Sequence, residues 1–182
     1  MEMKKLAIMT AFAFLGGAAL AQTASERLGV NSALGIAPTA EEFVSEAASS
    51  GQFEILSSQL AQERGVDQAT KDFAQQMIAD HQKIGSELKD LVKAKSFDVV
   101  VPGRMDRPEQ SMLDKLQTLN GAEFDRQYRD DQFSGHKSAV NLFQRYAKGG
   151  DNAELKQWAQ QTAPMLEHHL QMLRDLDRQV SK

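Results

Sequence analysis

The chain contains no cysteine. That excludes a disulfide framework, a thiol-based mechanism and a lipid-attachment cysteine. Basic charge is also in short supply, with 21 Lys and Arg against 25 Asp and Glu and a formal net charge of −4. Nucleic acid and anionic lipid surfaces both call for a basic face, so neither is an expected partner. No alternation of strand and helix patterns occurs, no glycine-rich phosphate loop follows a strand, and no internal repeat is evident. No serine, lysine or threonine constellation suggests nucleophilic catalysis.

What is present begins with a leader. Lys4 and Lys5 precede an apolar run from Leu6 to Leu20 that closes on Ala19-Leu20-Ala21. Charged, apolar and small-residue regions in that order predict a secretory signal peptide over residues 1–21, cut after Ala21. The run is short for a membrane span, and no stop-transfer segment follows it. The expected product is periplasmic or secreted, with no stable membrane anchor after cleavage. Losing Glu2, Lys4 and Lys5 takes its net charge from −4 to −5. The remaining 161 of 182 residues suit one domain with a real core.

Residues 22–38 show no sustained hydrophobic period and read as an N-terminal tether. From Thr39 onward the pattern is helical. Thr39-Ala40-Glu41-Glu42 has the form of a capping box, and the helix it opens runs to about Arg64, before Gly65. Asp67 caps a second long helix reaching about Lys95, with Phe73, Met77, Ile84, Leu88 and Leu91 three and four residues apart. Residues 96–107 read as an extended crossover. Pro108 suits the first turn of a short extra helix to about Leu119. A third long helix spans Ala122 to Lys148, and a fourth starts near Asp151 and runs almost to the end. Four long helices, linked closely within each pair and distantly between pairs, predict an all-α four-helix bundle over residues 39–182, with a long crossover and one short extra helix.

Each long helix carries a polar group on its inward stripe. In the last helix His169 lies within roughly 40° of the stripe centre, whereas His168 is more than about 100° away, so His169 faces the interior and His168 faces water. In the first helix Glu54 sits mid-stripe among Phe43, Ala47, Ser58 and Ala61. In the second, Asp80 and His81 flank the stripe. In the third, Asp131, Gln132, Gly135 and His136 cluster around the midpoint, with His136 at its margin. Asp125, Arg126, Arg129 and Asp130 read as a solvated face of helical charge pairs. Buried carboxyl and imidazole groups need partners, which leaves two readings: a closed hydrogen-bonded network, or one metal ion held by Glu54, His81, His136 and His169 with Asp80, Asp131 and Gln132 as auxiliaries. The axial levels of Glu54 and His81, counted from Gly65, differ by roughly 6 Å of helical rise, so convergence depends on helix stagger and side-chain reach.

The segments EILSSQLA, KDFAQQMIADH, NGAEFDRQYRDDQFSGHKSAVNLF and PMLEHHL resemble the exported bacterial family catalogued as domain of unknown function 4142, over about residues 40 to 178. The resemblance implies a ferritin-like bundle and brings no established activity. It places the family's Asp-His, Gly-His and Pro-x-Leu-x-x-His elements on Asp80-His81, Gly135-His136 and Pro164 to His169, and its helix 1 glutamate on Glu54. The chain departs from di-iron bundles, which pair Glu-x-x-His on two helices. Three residues before His81, His136 and His169 stand Ile78, Phe133 and Leu166. A single zinc, iron or copper ion suits three histidines and one carboxylate better. Met77 and Met165, each four residues before an inward histidine, add soft sulfur that would favour copper or serve as core filler.

Three functional readings follow: a non-enzymatic exported ferritin-like module with an envelope-stress setting, a metal-dependent redox enzyme, and a helical interaction or scaffold protein that binds an envelope partner or a copy of itself. The first is preferred.

Overall fold

The computed structural model describes residues 29–95 and 97–180. The expected signal peptide at 1–21 and residues 22–28 of the expected tether lie outside the described residues. Among the described residues the chain is all-helical: α1 (Val30–Leu34), α2 (Ala40–Arg64), α3 (Gln68–Ala94), α4 (Arg107–Gln117), α5 (Gly121–Gly149) and α6 (Ala153–Val180). The predicted boundaries of the four long helices fall within a few residues of these.

Local chemistry sets the ends. Glu42 N–H donates to Thr39 Oγ1 and Glu42 Oε2 accepts from Thr39 N–H, so both halves of the capping box form at the start of α2. Asp67 Oδ2 accepts from Thr70 N–H at 3.1 Å and from the Thr70 hydroxyl at 2.6 Å, closing the first turn of α3. Pro108 sits at the start of α4, where its missing N–H costs no helical bond. The short α1 rests on α5 through a hydrogen bond from Ser32 Oγ to Asn141 Oδ1 of 2.7 Å.

The apolar faces bury into two clusters at opposite ends. One joins Phe43 and Ala47 of α2, Ile84 and Leu88 of α3, Leu142 and Tyr146 of α5, and Leu155 and Trp158 of α6. The other joins Phe53 and Ala61, Phe73 and Met77, Phe124 and Tyr128, and Leu173 and Leu176, with Leu113 and Leu116 of α4. Membership follows chain direction: α2 and α6 run from the first cluster to the second, while α3 and α5 run back. The two sequential pairs are therefore antiparallel hairpins, and the segment between α3 and α5 must travel the length of the molecule, with α4 laid along it. Phe43 anchors the first end by stacking on Tyr146 at 4.0 Å and meeting Phe143 and Trp158 edge-on. Such ring pairs add about 0.5–1.5 kcal/mol each beyond their area.

The expected solvated face is only half solvated: Arg126 and Asp130 are exposed, but Asp125 and Arg129 are not. Asp125 is 2% exposed, and its Oδ2 accepts from the backbone N–H groups of Val66 and Asp67 at 3.1 and 2.8 Å. It fastens the α2–α3 turn from α5. Gly65 is required there because a Cβ would lie 2.8 Å from Asp125 Oδ1 and 2.6 Å from Ala61 O. Arg129 is also drawn inward, donating to Asp177 at 3.2 Å and to the Thr70 hydroxyl at 3.0 Å. Charge pattern alone misassigns both, because their partners belong to other helices.

Candidate metal centre

Between the two apolar clusters lies a polar level. His136 and His169 are fully buried, His81 is 4% exposed, and His168 faces solvent. The helical 100° step separates the adjacent histidines of α6 as expected. His136, expected at a margin, is instead at the centre.

One ring nitrogen from each of His81, His136 and His169 lies within 4.8 Å of the other two. His81 Nε2 is 3.3 Å from His136 Nε2, which in turn is 3.3 Å from His169 Nδ1. For comparison, the N···N edge of a tetrahedral zinc site with bonds of about 2.0–2.1 Å is about 3.3–3.4 Å. The rings meet at steep angles rather than stacked, with His136 at 83° to His81 and 78° to His169. Nitrogen edges therefore converge, not ring faces.

The outer nitrogens decide where the protons sit. His136 Nδ1 lies 2.9 Å from the Gln132 carbonyl oxygen, which can only accept. His169 Nε2 lies 2.9 Å from Asp80 Oδ2, which as a carboxylate can also only accept. Both outer nitrogens thus carry the hydrogen, leaving His136 Nε2 and His169 Nδ1 as lone pairs that face each other. Burial lowers all three imidazoles: His81 falls well below the usual range, with repulsion from the other two rings adding to the fall, and His136 falls to about 4. His169 falls less, because Asp80 opposes the desolvation. Neutral rings with inward lone pairs form a donor set for a cation, and an outer carboxylate on a ligand histidine is the usual device for fixing its tautomer.

The carboxylates divide. Asp80 belongs to the site from outside: its Oδ2 accepts from His169 Nε2 and from Gln76 Nε2 at 2.7 Å. Burial acts to raise its carboxyl, but those two bonds outweigh it and hold the group below the usual range. Glu54 approaches His136 from the far side, with Oε1 3.8 Å from Nδ1, and so does not stand among the converging nitrogens. It is 3% exposed, and Oε2 has no hydrogen-bond partner. Burial pushes this carboxyl well above the ordinary carboxylate range, the Gln132 amide offsetting part of the rise and Asp131 adding to it.

Of the residues expected as auxiliaries, the Gln132 side chain donates to Ser57 Oγ at 3.0 Å, and Asp131 Oδ1 accepts from Gln127 Nε2 at 2.8 Å. Neither joins the histidines through its side chain. Gln132 contributes instead through its backbone carbonyl, a role signalled in the sequence only by its place four residues before His136. Gly135 was visible in sequence beside the site, but not what it does: a Cβ there would lie 2.7 Å from Glu54 Oε1. Met77 is packed in the second apolar cluster and Met165 against the first. Pro164 lies inside α6, which continues through it.

No helix among the described residues is long and apolar enough to cross a membrane. No curated protein and no solved structure matches the chain. A family model described as Domain of unknown function (DUF4142) matches residues 25–176, most of the chain, and the protein belongs to that family.

Proposed function

We propose that this protein is an exported, ferritin-like four-helix-bundle module that binds one transition-metal ion through His81, His136 and His169, with Asp80 orienting His169. The ferritin-like assignment is supported by the chain path: two antiparallel hairpins joined by a crossover that runs the length of the molecule. The export assignment is supported by the Lys4-Lys5 leader pattern.

The observation that carries the metal reading is the proton count. With His136 Nδ1 and His169 Nε2 donating outward, the two inner ring contacts of 3.3 Å share only the proton that His81 can bring. One contact is then left with lone pairs facing each other, a repulsive arrangement in a closed network and a favourable one around a cation. Three neutral imidazoles suit zinc, copper, iron or nickel and leave a coordination position open for water or a small ligand. The absence of Glu-x-x-His pairs, and the placement of Glu54 behind His136, speak against a carboxylate-bridged two-metal centre.

Elemental analysis of untagged protein isolated from its own compartment tests the reading. The expected result is close to one equivalent of a transition metal in the wild type and almost none in His169→Ala. Metal content that is far below one equivalent and indifferent to His169→Ala would overturn it and leave the closed polar core.

A further inference from the structure

A groove of about 1410 Å³ opens between α2 and α5, extended by the crossover and the start of α4. Its lining is strongly acidic, including Glu42, Glu46, Asp98, Asp106 and Glu109 against Arg107 and Arg145. Three of its carboxylates hold a buried oxygen without a hydrogen-bond partner: Glu42 Oε1, Glu54 Oε2 and Glu109 Oε2. Glu42 and Glu109 are only partly buried at the groove wall, whereas Glu54 is nearly sealed, and a carboxylate oxygen without a donor at that depth marks a place where positive charge is accommodated. The inner end of the groove is Glu54, 97% buried, with Gly135 opposite it on α5.

Glu54 is also the link inward. None of the three histidines lines the groove, but Glu54 Oε1 reaches His136 Nδ1, one imidazole ring away from the nitrogen that faces His81 and His169. Gly135 leaves room for this carboxyl, since a Cβ there would lie 2.7 Å from Glu54 Oε1 and displace it. On the opposite side of the cluster, Asp80 is about one-fifth exposed and is engaged by Gln76 and His169.

We propose that the α2–α5 groove is the loading route for the metal ion, and that Glu54 is a transient cation site at its inner end from which a divalent ion passes to the histidines. This rests on the metal reading above. The groove carboxylates gather hydrated divalent cations, Glu54 exchanges water for carboxylate oxygen at the point of burial, and the three imidazoles form the tighter final site. A divalent cation supplies the positive partner that the charged form of Glu54 lacks in its buried position, any proton that burial holds on the carboxyl leaving to groove water as the ion binds, and oxygen ligands bind such ions more loosely than three nitrogens do. Asp80, by contrast, serves affinity and not entry.

The test is stopped-flow uptake of cobalt(II), followed by its visible absorption, into chelator-stripped full-length protein. Wild type, Glu54→Gln, Gly135→Ala and the groove-mouth variant Glu109→Gln are compared at low and high salt, with circular dichroism confirming the fold. Clefts lined by charge of one sign raise association rates by about 10- to 1000-fold, so Glu54→Gln should slow uptake by about tenfold or more. Gly135→Ala should slow it in the same direction, and Glu109→Gln should weaken its dependence on ionic strength. Cobalt content after long incubation should remain close to one equivalent in all of them. Uptake within twofold of wild type in both Glu54→Gln and Gly135→Ala, with cobalt still bound, overturns the loading route and leaves the metal site standing. No cobalt spectrum in the wild type overturns both.

Discussion

Two carboxylates flank the same histidine cluster and behave in opposite ways. Asp80, on the α3–α6 side, has a side chain 21% exposed, accepts from His169 and Gln76, and is held below the usual carboxylate range. Glu54, on the α2–α5 side, is nearly sealed from solvent, has an unpartnered oxygen, and is pushed well above that range by burial. Residue type does not separate them. What does is whether hydrogen-bond donors dominate, which stabilises the charged form, or loss of hydration on burial does, which disfavours it. The pair therefore divides the labour around one cluster: Asp80 sets a tautomer, and Glu54 stands between the cluster and an acidic groove.

The most severe way to break this contrast is to remove the ring both sides depend on. His136→Ala should abolish metal binding and cost about 3 kcal/mol of stability in the metal-free protein, as expected when a fully buried side chain leaves a cavity lined by polar groups. Metal analysis and urea denaturation would check both, and a midpoint equal to that of wild type would contradict the central position of this ring. A milder probe acts on one side only. Asp80→Asn keeps the shape but weakens the acceptor that fixes the proton on His169 Nε2, and loss of such an outer partner lowers metal affinity by about 10- to 100-fold. Competition against a chelator of known affinity would measure this, and an unchanged dissociation constant would mean that Asp80 does not orient His169.

The smallest effect calibrates the comparison with a carboxylate distant from the histidines. Burial acts to raise Asp67, but hydrogen bonds from Thr70 and Ala69 and the Arg129 guanidinium outweigh it and hold the group below its ordinary value of 3.8. A depressed folded-state value means that the native protein binds fewer protons than the unfolded chain, so the stabilisation is fully present above the ordinary value and is lost as pH falls through the depressed one. Asp67→Ala should cost about 1 kcal/mol at neutral pH, as loss of an N-cap does, with the gap to wild type closing in strong acid. Thermal melts from neutral pH down to about pH 2 would show this, and a pH-independent gap would mean that the cap acts without its charge.

Much of the fold was legible locally. Capping at Thr39 and Asp67, the pause at Gly65, the crossover and the inward direction of His169 all follow from interactions within one helical turn or from the 3.6-residue period. Asp125 was not legible in this way, because its acceptor role is defined by N–H groups at Val66 and Asp67 on a distant turn. Neither was the separation of Glu54 from the histidine donor set, although the axial mismatch counted from Gly65 hinted at it.

By itself, then, the amino-acid sequence determined where the long helices begin and end and which apolar stripe each one buries, because periodicity and capping are short-range and additive along the chain. Only the tertiary structure decided which nitrogen of each imidazole faces the others, which oxygen of which acid touches them, and that Gly135 makes room for Glu54. Those outcomes depend on helix stagger and on side-chain torsions set by neighbours from other helices, and a shift of a single ångström in either would change the chemistry without altering the hydrophobic pattern.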